Sequence, residues 1–124
     1  MNKSQKGYLD NIEKETEENS SYRKVLFTGE YSQLVLMSIK PGEEIGKEVH
    51  EGHDQFFRIE AGEAEVLIGE ETHKAMANDA FIVPSGVEHN VTNISETEDL
   101  RLYTIYSPAE HADGLEQVEK TQEE

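Results

Sequence analysis

Residues 42–62 read GEEIGKEVHEGHDQFFRIEAG, and residues 78–93 read NDAFIVPSGVEHNVTN. Glycine bounds the first stretch, which sets Glu48 and His50 two positions apart, with Gln55 following after a turn. Residues at i and i+2 of an extended chain point to the same side, so a carboxylate oxygen from Glu48 and an imidazole nitrogen from His50 can meet one ion. Along the next strand Gln55, Phe57 and Ile59 share one face and Phe56, Arg58 and Glu60 the other, and the charged pair Arg58 and Glu60 is expected outside. The second stretch delivers His89 just after the turn Pro84-Ser85-Gly86. A strand carrying His89 opposite the first stretch would let the fold itself act as the rigid frame that a metal site needs. His53 is an alternative to Gln55, although a polar loop beside Gly52 is expected to leave it in solvent. His73 and His111 lie in polar runs and receive no role.

Outward from these windows the texture is that of an all-β domain. β-Branched and aromatic residues gather in short runs at 22–28, 33–40, 55–60, 64–68, 80–83, 89–94 and 100–106. Turn residues separate them: Pro41-Gly42, Ala61-Gly62, Gly69-Glu70 and Pro84-Ser85-Gly86. In the last run Leu100, Leu102, Thr104 and Tyr106 share one face while Arg101, Tyr103 and Ile105 share the other, which suits a strand lying between core and a subunit contact. Residues 10–19 combine an Asp/Asn start with good helix formers, but only Leu9 and Ile12 supply an apolar face, so a short helix is expected. The reading divides the chain into a polar, partly helical arm at 1–21, one barrel-sized domain at 22–106 and an acidic tail at 107–124, extended or disordered.

The composition narrows the function. With 27 acids against 11 bases and a formal net charge of −16, the surface opposes phosphate backbones and anionic lipid, so neither nucleic acid nor a membrane is an expected partner. Cysteine is absent, which removes disulfides and thiolate chemistry and leaves His, carboxylate and amide groups as the ligands for any metal. No run of eighteen apolar residues and no apolar leader is present, and a cytoplasmic protein is expected. At 124 residues there is material for one core rather than two.

The two windows resemble the paired motifs of the cupins, Gly-x5-His-x-His-x3-4-Glu-x6-Gly and Gly-x5-Pro-x-Gly-x2-His-x3-Asn. The first reads here as Gly42, Glu48, His50, Gln55 and Gly62, the second as Asn78, Pro84, Gly86, His89 and Asn93. Every spacing agrees, and three positions depart from the pattern. Asn78 stands for a glycine, a mild change because asparagine tolerates the left-handed region better than other side chains. Glu48 stands for the first histidine and Gln55 for the usual glutamate, so the carboxylate changes place and the set remains one carboxylate, two imidazoles and an amide oxygen. The resemblance implies a double-stranded β-helix, or jelly-roll barrel, holding one divalent transition ion (Fe, Mn, Ni, Co or Zn) through Glu48, His50, Gln55 and His89. Gln55 is a weak neutral donor that serves either as a ligand or as a group orienting bound water. The resemblance further implies a homodimer and an oxygen-bearing small-molecule substrate for isomerase, dioxygenase, decarboxylase or lyase chemistry. The alternative is a barrel that binds or senses a metal or small ligand without turnover.

Overall fold

A computed structural model describes residues 6–120; the remainder of the arm and tail, 1–5 and 121–124, lies outside the described residues. Among the described residues one short helix, α1 (Ile12–Glu18), is followed by nine strands. Asn11 caps α1, its side-chain oxygen accepting the Lys14 backbone N–H at 3.0 Å. Asn19 ends it in an extended conformation. The strands are β1 (Arg23–Thr28), β2 (Gln33–Ile39), β3 (Asp54–Ala61), β4 (Glu63–Ile68), β5 (Glu71–Met76), β6 (Ala80–Val83), β7 (His89–Asn93), β8 (Leu100–Ser107) and β9 (Glu116–Gln117).

All the strand pairs are antiparallel. One sheet runs in the order β6-β3-β8-β2-β1-β9 and the other β5-β4-β7. The inward faces enclose a core built from Val35, Met37, Phe57, Ile59, Val66, Leu100 and Leu102, together with neighbours from both sheets, in the manner of a jelly-roll barrel. Alternation positions these residues: in β8 Leu100, Leu102, Thr104 and Tyr106 are buried while Arg101, Tyr103 and Ile105 are half-buried on the outer side. The turns use the glycines of the two motifs, with Gly42, Gly62 and Gly86 all at positive φ. Asn78 also sits at φ 79°, the single non-glycine residue in that region among those described, and its side chain accepts a hydrogen bond from Arg58 Nη2 at 3.0 Å.

In its secondary structure and packing the fold differs from the sequence reading at Glu60, at residues 71–76 and in the tail. Glu60 lies on the outer side of β3 yet is only 7 % exposed, because α1 packs against β3 and the Arg58 guanidinium pairs with the carboxylate at 3.7 Å. Residues 71–76 form a strand, although ETHKAM offers no apolar face; pairing with β4 along its whole length makes it one. The polar tail, as far as it is described, turns back onto the barrel. Glu116 and Gln117 pair with Lys24 and Arg23 of β1, and Leu115 packs against the core. Among the described residues no helix is long and apolar enough to cross a membrane.

Candidate metal centre

Backbone register brings Glu48, His50 and His89 together. Glu48 and His89 form an antiparallel bridge in which each backbone N–H donates to the other's carbonyl at 2.9 Å, so their side chains rise side by side from one face. His50, two residues beyond Glu48, points to that same face, and its own carbonyl is held by the Gly86 backbone N–H at 3.0 Å. One ligand-capable atom from each of the three lies within 4.8 Å of the others. The turn at Pro84-Ser85-Gly86 and the extended segment before Gly52 thus lock the two sequence windows together.

Each imidazole has distinct inner and outer nitrogens. His89 is 3 % exposed, and its Nδ1 lies 2.9 Å from the Val87 carbonyl, to which only an N–H can donate. Nε2 is therefore the lone-pair nitrogen, and it is buried without a hydrogen-bond partner. His50 places Nε2 3.2 Å from Glu48 Oε1. Burial pushes the His89 imidazolium down and the nearby His50 charge adds to this, against the Val87 carbonyl, so the ring is held neutral. For His50 the hydrogen bond to Glu48 is the largest effect and raises the pKa; burial opposes it, the charges of Glu48 and Glu110 add to it, and Arg23 works against it. Burial alone would lift the Glu48 carboxyl, but His50, Arg23 and His89 together hold it below the usual range.

Gln55 projects inward from β3 and is 3 % exposed. Its Nε2 donates to Thr104 Oγ1 at 3.0 Å, and Thr104 passes its own proton to the Phe56 carbonyl at 2.8 Å, which fixes the amide with Oε1 as the free end. That oxygen too is buried without a partner. A buried acceptor left unmade costs about 1–3 kcal/mol, so two such atoms, His89 Nε2 and Gln55 Oε1, are what residues shaped to receive a cation or a bound water would show. The donor set fits a divalent transition ion.

Aromatic rings line the neighbourhood. Phe57 stacks on Phe81 with centroids 4.6 Å apart and meets His89 edge-on, while Tyr106 meets His50 edge-on at 5.7 Å. Asn93 reaches no ligand: its amide donates to the Ile39 and Glu98 carbonyls and accepts from the Ser95 N–H, a structural pin. His53 does not stand in solvent as the sequence reading has it; its ring is 19 % exposed and rests on the tail, Nδ1 lying 2.8 Å from the Pro108 carbonyl. His111 approaches the Tyr106 hydroxyl at 3.3 Å, and His73 pairs with Glu71 at the surface. Two charged residues near the cluster escaped the sequence reading. Arg23 is buried at 3 % exposure on β1, and Glu110 comes from the tail; nothing in the pattern of an acidic tail marks Glu110 off from its neighbours.

Comparison with known proteins fits this geometry. A family profile described as the cupin domain matches residues 35–106, more than half of the sequence. The chain is a cupin. It is 42 % identical over 118 residues to an uncharacterized protein of Acanthamoeba polyphaga mimivirus, covering 93 % of this chain and 74 % of that one. The uncharacterized Bacillus subtilis protein YrkC is 39 % identical over 115 residues, and this cupin spans 61 % of its length. The crystal structure of BH2720 from Bacillus halodurans superposes with a TM-score of 0.88 at 36 % identity, covering 93 % of this cupin and 91 % of that chain.

Proposed function

We propose that this cupin binds one divalent transition ion, iron, manganese, nickel, cobalt or zinc, through Glu48, His50 and His89 with the amide oxygen of Gln55 as the fourth donor, and acts there on an oxygen-bearing small molecule. The observation that carries the reading is the buried, unpartnered Nε2 of a His89 whose Nδ1 is already committed to Val87. An ion held by this set supplies Lewis acidity, stabilising negative charge that develops on a substrate oxygen. The protein's own residues do the rest. Val87 fixes the His89 tautomer, Thr104 fixes the Gln55 amide, and Phe57, Phe81 and Tyr106 keep the surroundings of the ligands apolar and poor in water. Burial pushes the Tyr106 phenol well above its usual range, so it remains protonated and serves as a hydrogen-bonding hydroxyl rather than a base. The class of reaction, isomerase, dioxygenase, decarboxylase or lyase, belongs to the proposal with the substrate.

The proposal includes a homodimer, supported by the apolar residues on the outer face of β8, and a cytoplasmic site of action, checked by cell fractionation. Metal content measured by mass spectrometry on untagged, chelator-free protein tests the site. About one ion per chain is expected for wild type, with loss in both His50→Ala and His89→Ala. Absence of an ion after supplying iron, manganese, nickel, cobalt and zinc in turn ends the metal reading. Turnover of oxygen-bearing substrates by the loaded protein then separates an enzyme from a barrel that only binds.

A further inference from the structure

The tail segment 108–111 is fixed over the metal centre by one buried amide. Gln33, 1 % exposed, accepts the backbone N–H groups of Glu110 and His111 at 3.1 and 3.0 Å through Oε1 and donates from Nε2 to the His111 carbonyl at 2.8 Å. Three backbone groups are held by a single side chain rooted in β2, so the barrel sets the position of Glu110. From there the Glu110 carboxylate spans two imidazoles. Oε1 lies 3.3 Å from His53 Nε2 and Oε2 lies 3.7 Å from His50 Nδ1. His53 is itself tied to the segment through the Pro108 carbonyl.

Glu110 is placed to supply what His50 otherwise lacks: at 3.7 Å the two form an ion pair just beyond hydrogen-bond distance, a gap that loading the other nitrogen with an ion would close. An imidazole that ligates an ion through one nitrogen needs an acceptor for the N–H on the other, which fixes both tautomer and ring orientation. His89 has that acceptor in the Val87 carbonyl, from its own turn. The inner nitrogen of His50 faces Glu48, and its outer nitrogen faces a carboxylate more than fifty residues away in sequence. We propose that Glu110 is a positioning residue of the metal centre, accepting the Nδ1 proton of His50 so that Nε2 is presented to the ion. The segment regarded as a tail is then a working part of the site. The inference rests on the metal reading above and deepens it.

The test is zinc affinity, measured by competition with a chromophoric chelator, together with the visible spectrum of the cobalt-loaded protein, for wild type, Glu110→Ala, Glu110→Gln and His89→Ala. Glu110→Ala is expected to bind zinc about 10–100-fold more weakly and to shift the cobalt bands, as loss of the group behind a ligating histidine does. Glu110→Gln keeps an oxygen that accepts from Nδ1 and is expected to recover most of the affinity and the wild-type spectrum. If wild type binds, His89→Ala does not and Glu110→Ala matches wild type, the positioning role is overturned and the metal reading stands. Equal loss in the Ala and Gln variants overturns it as well, since charge alone would then account for the effect. A wild type that binds neither zinc nor cobalt overturns both.

Discussion

His50 and His89 are neighbours with centroids 5.3 Å apart, yet their surroundings drive their protons in opposite directions. In metal-free protein His50 is raised above its ordinary 6.5 by the Glu48 hydrogen bond, so its contribution to stability is complete below 6.5 and is lost as pH rises through the folded value. His89 is lowered by burial, so the folded state refuses a proton that the unfolded chain accepts, and its neutral ring is favoured only above that range. Glu48 is lowered from 4.5, and its contribution disappears only as pH falls below that value. Two single variants separate these effects. The stability advantage of chelator-treated wild type over His50→Gln is expected to shrink as pH rises above 6.5, whereas the difference from His89→Gln moves in wild type's favour as pH rises toward 6.5 from below. Urea unfolding at several pH values reads both, and slopes of the same sign would contradict the opposite shifts of the two rings.

Turns decide where the strands that carry the ligands begin, and glycine is required at one of them for two reasons at once. Gly62, between β3 and β4, has φ 98°, and a Cβ there would stand 2.8 Å from the Asp99 carbonyl oxygen and 3.0 Å from Leu100 Cα. Gly42, before the metal segment, has φ 78° with nothing within 4 Å of such an atom. Gly62→Ala is expected to cost about 2–4 kcal/mol and Gly42→Ala only about 1, because both strain the backbone while the first also collides with backbone that cannot swing away. Denaturant midpoints measure the difference, and equal costs would mean that the β3–β4 turn relaxes. These glycines, the strand runs and the convergence of Glu48, His50 and His89 were legible in sequence because each follows a local rule of period, turn or motif spacing. β5 was not, since a strand with only Ala75 turned against the core shows no apolar period and is held chiefly by its ladder with β4. Glu60 and Glu110 were hidden for the same kind of reason. Their burial and contacts are created by α1 and by the Gln33 anchor, which join residues far apart in the chain.

At the scale of the whole molecule two properties oppose each other. Ile82, Phe56, Ile105, Leu34 and Phe27 lie in one register row across β6, β3, β8, β2 and β1, all on the outer face, with Ile82 60 % exposed. Such a row favours sheet-against-sheet association of two copies, while a net charge of −16 per chain resists it. Repulsion between exposed charges acts over a Debye length of about 30 Å at 0.01 M salt and about 8 Å at 0.15 M, whereas the apolar contact does not weaken with added salt. The proposed dimer is therefore expected to tighten as salt is added, contrary to an interface held by ion pairs. Light scattering at micromolar protein should move from partly monomeric near 0.01 M salt toward the dimer mass near 0.15 M. Ile82→Glu, which adds another acid in the middle of an apolar contact, should give monomer at both while leaving metal content unchanged. A wild type that is monomeric at every salt concentration removes the dimer and leaves the row as ordinary surface; a dimer that dissociates on adding salt places the contact on some other, charged face.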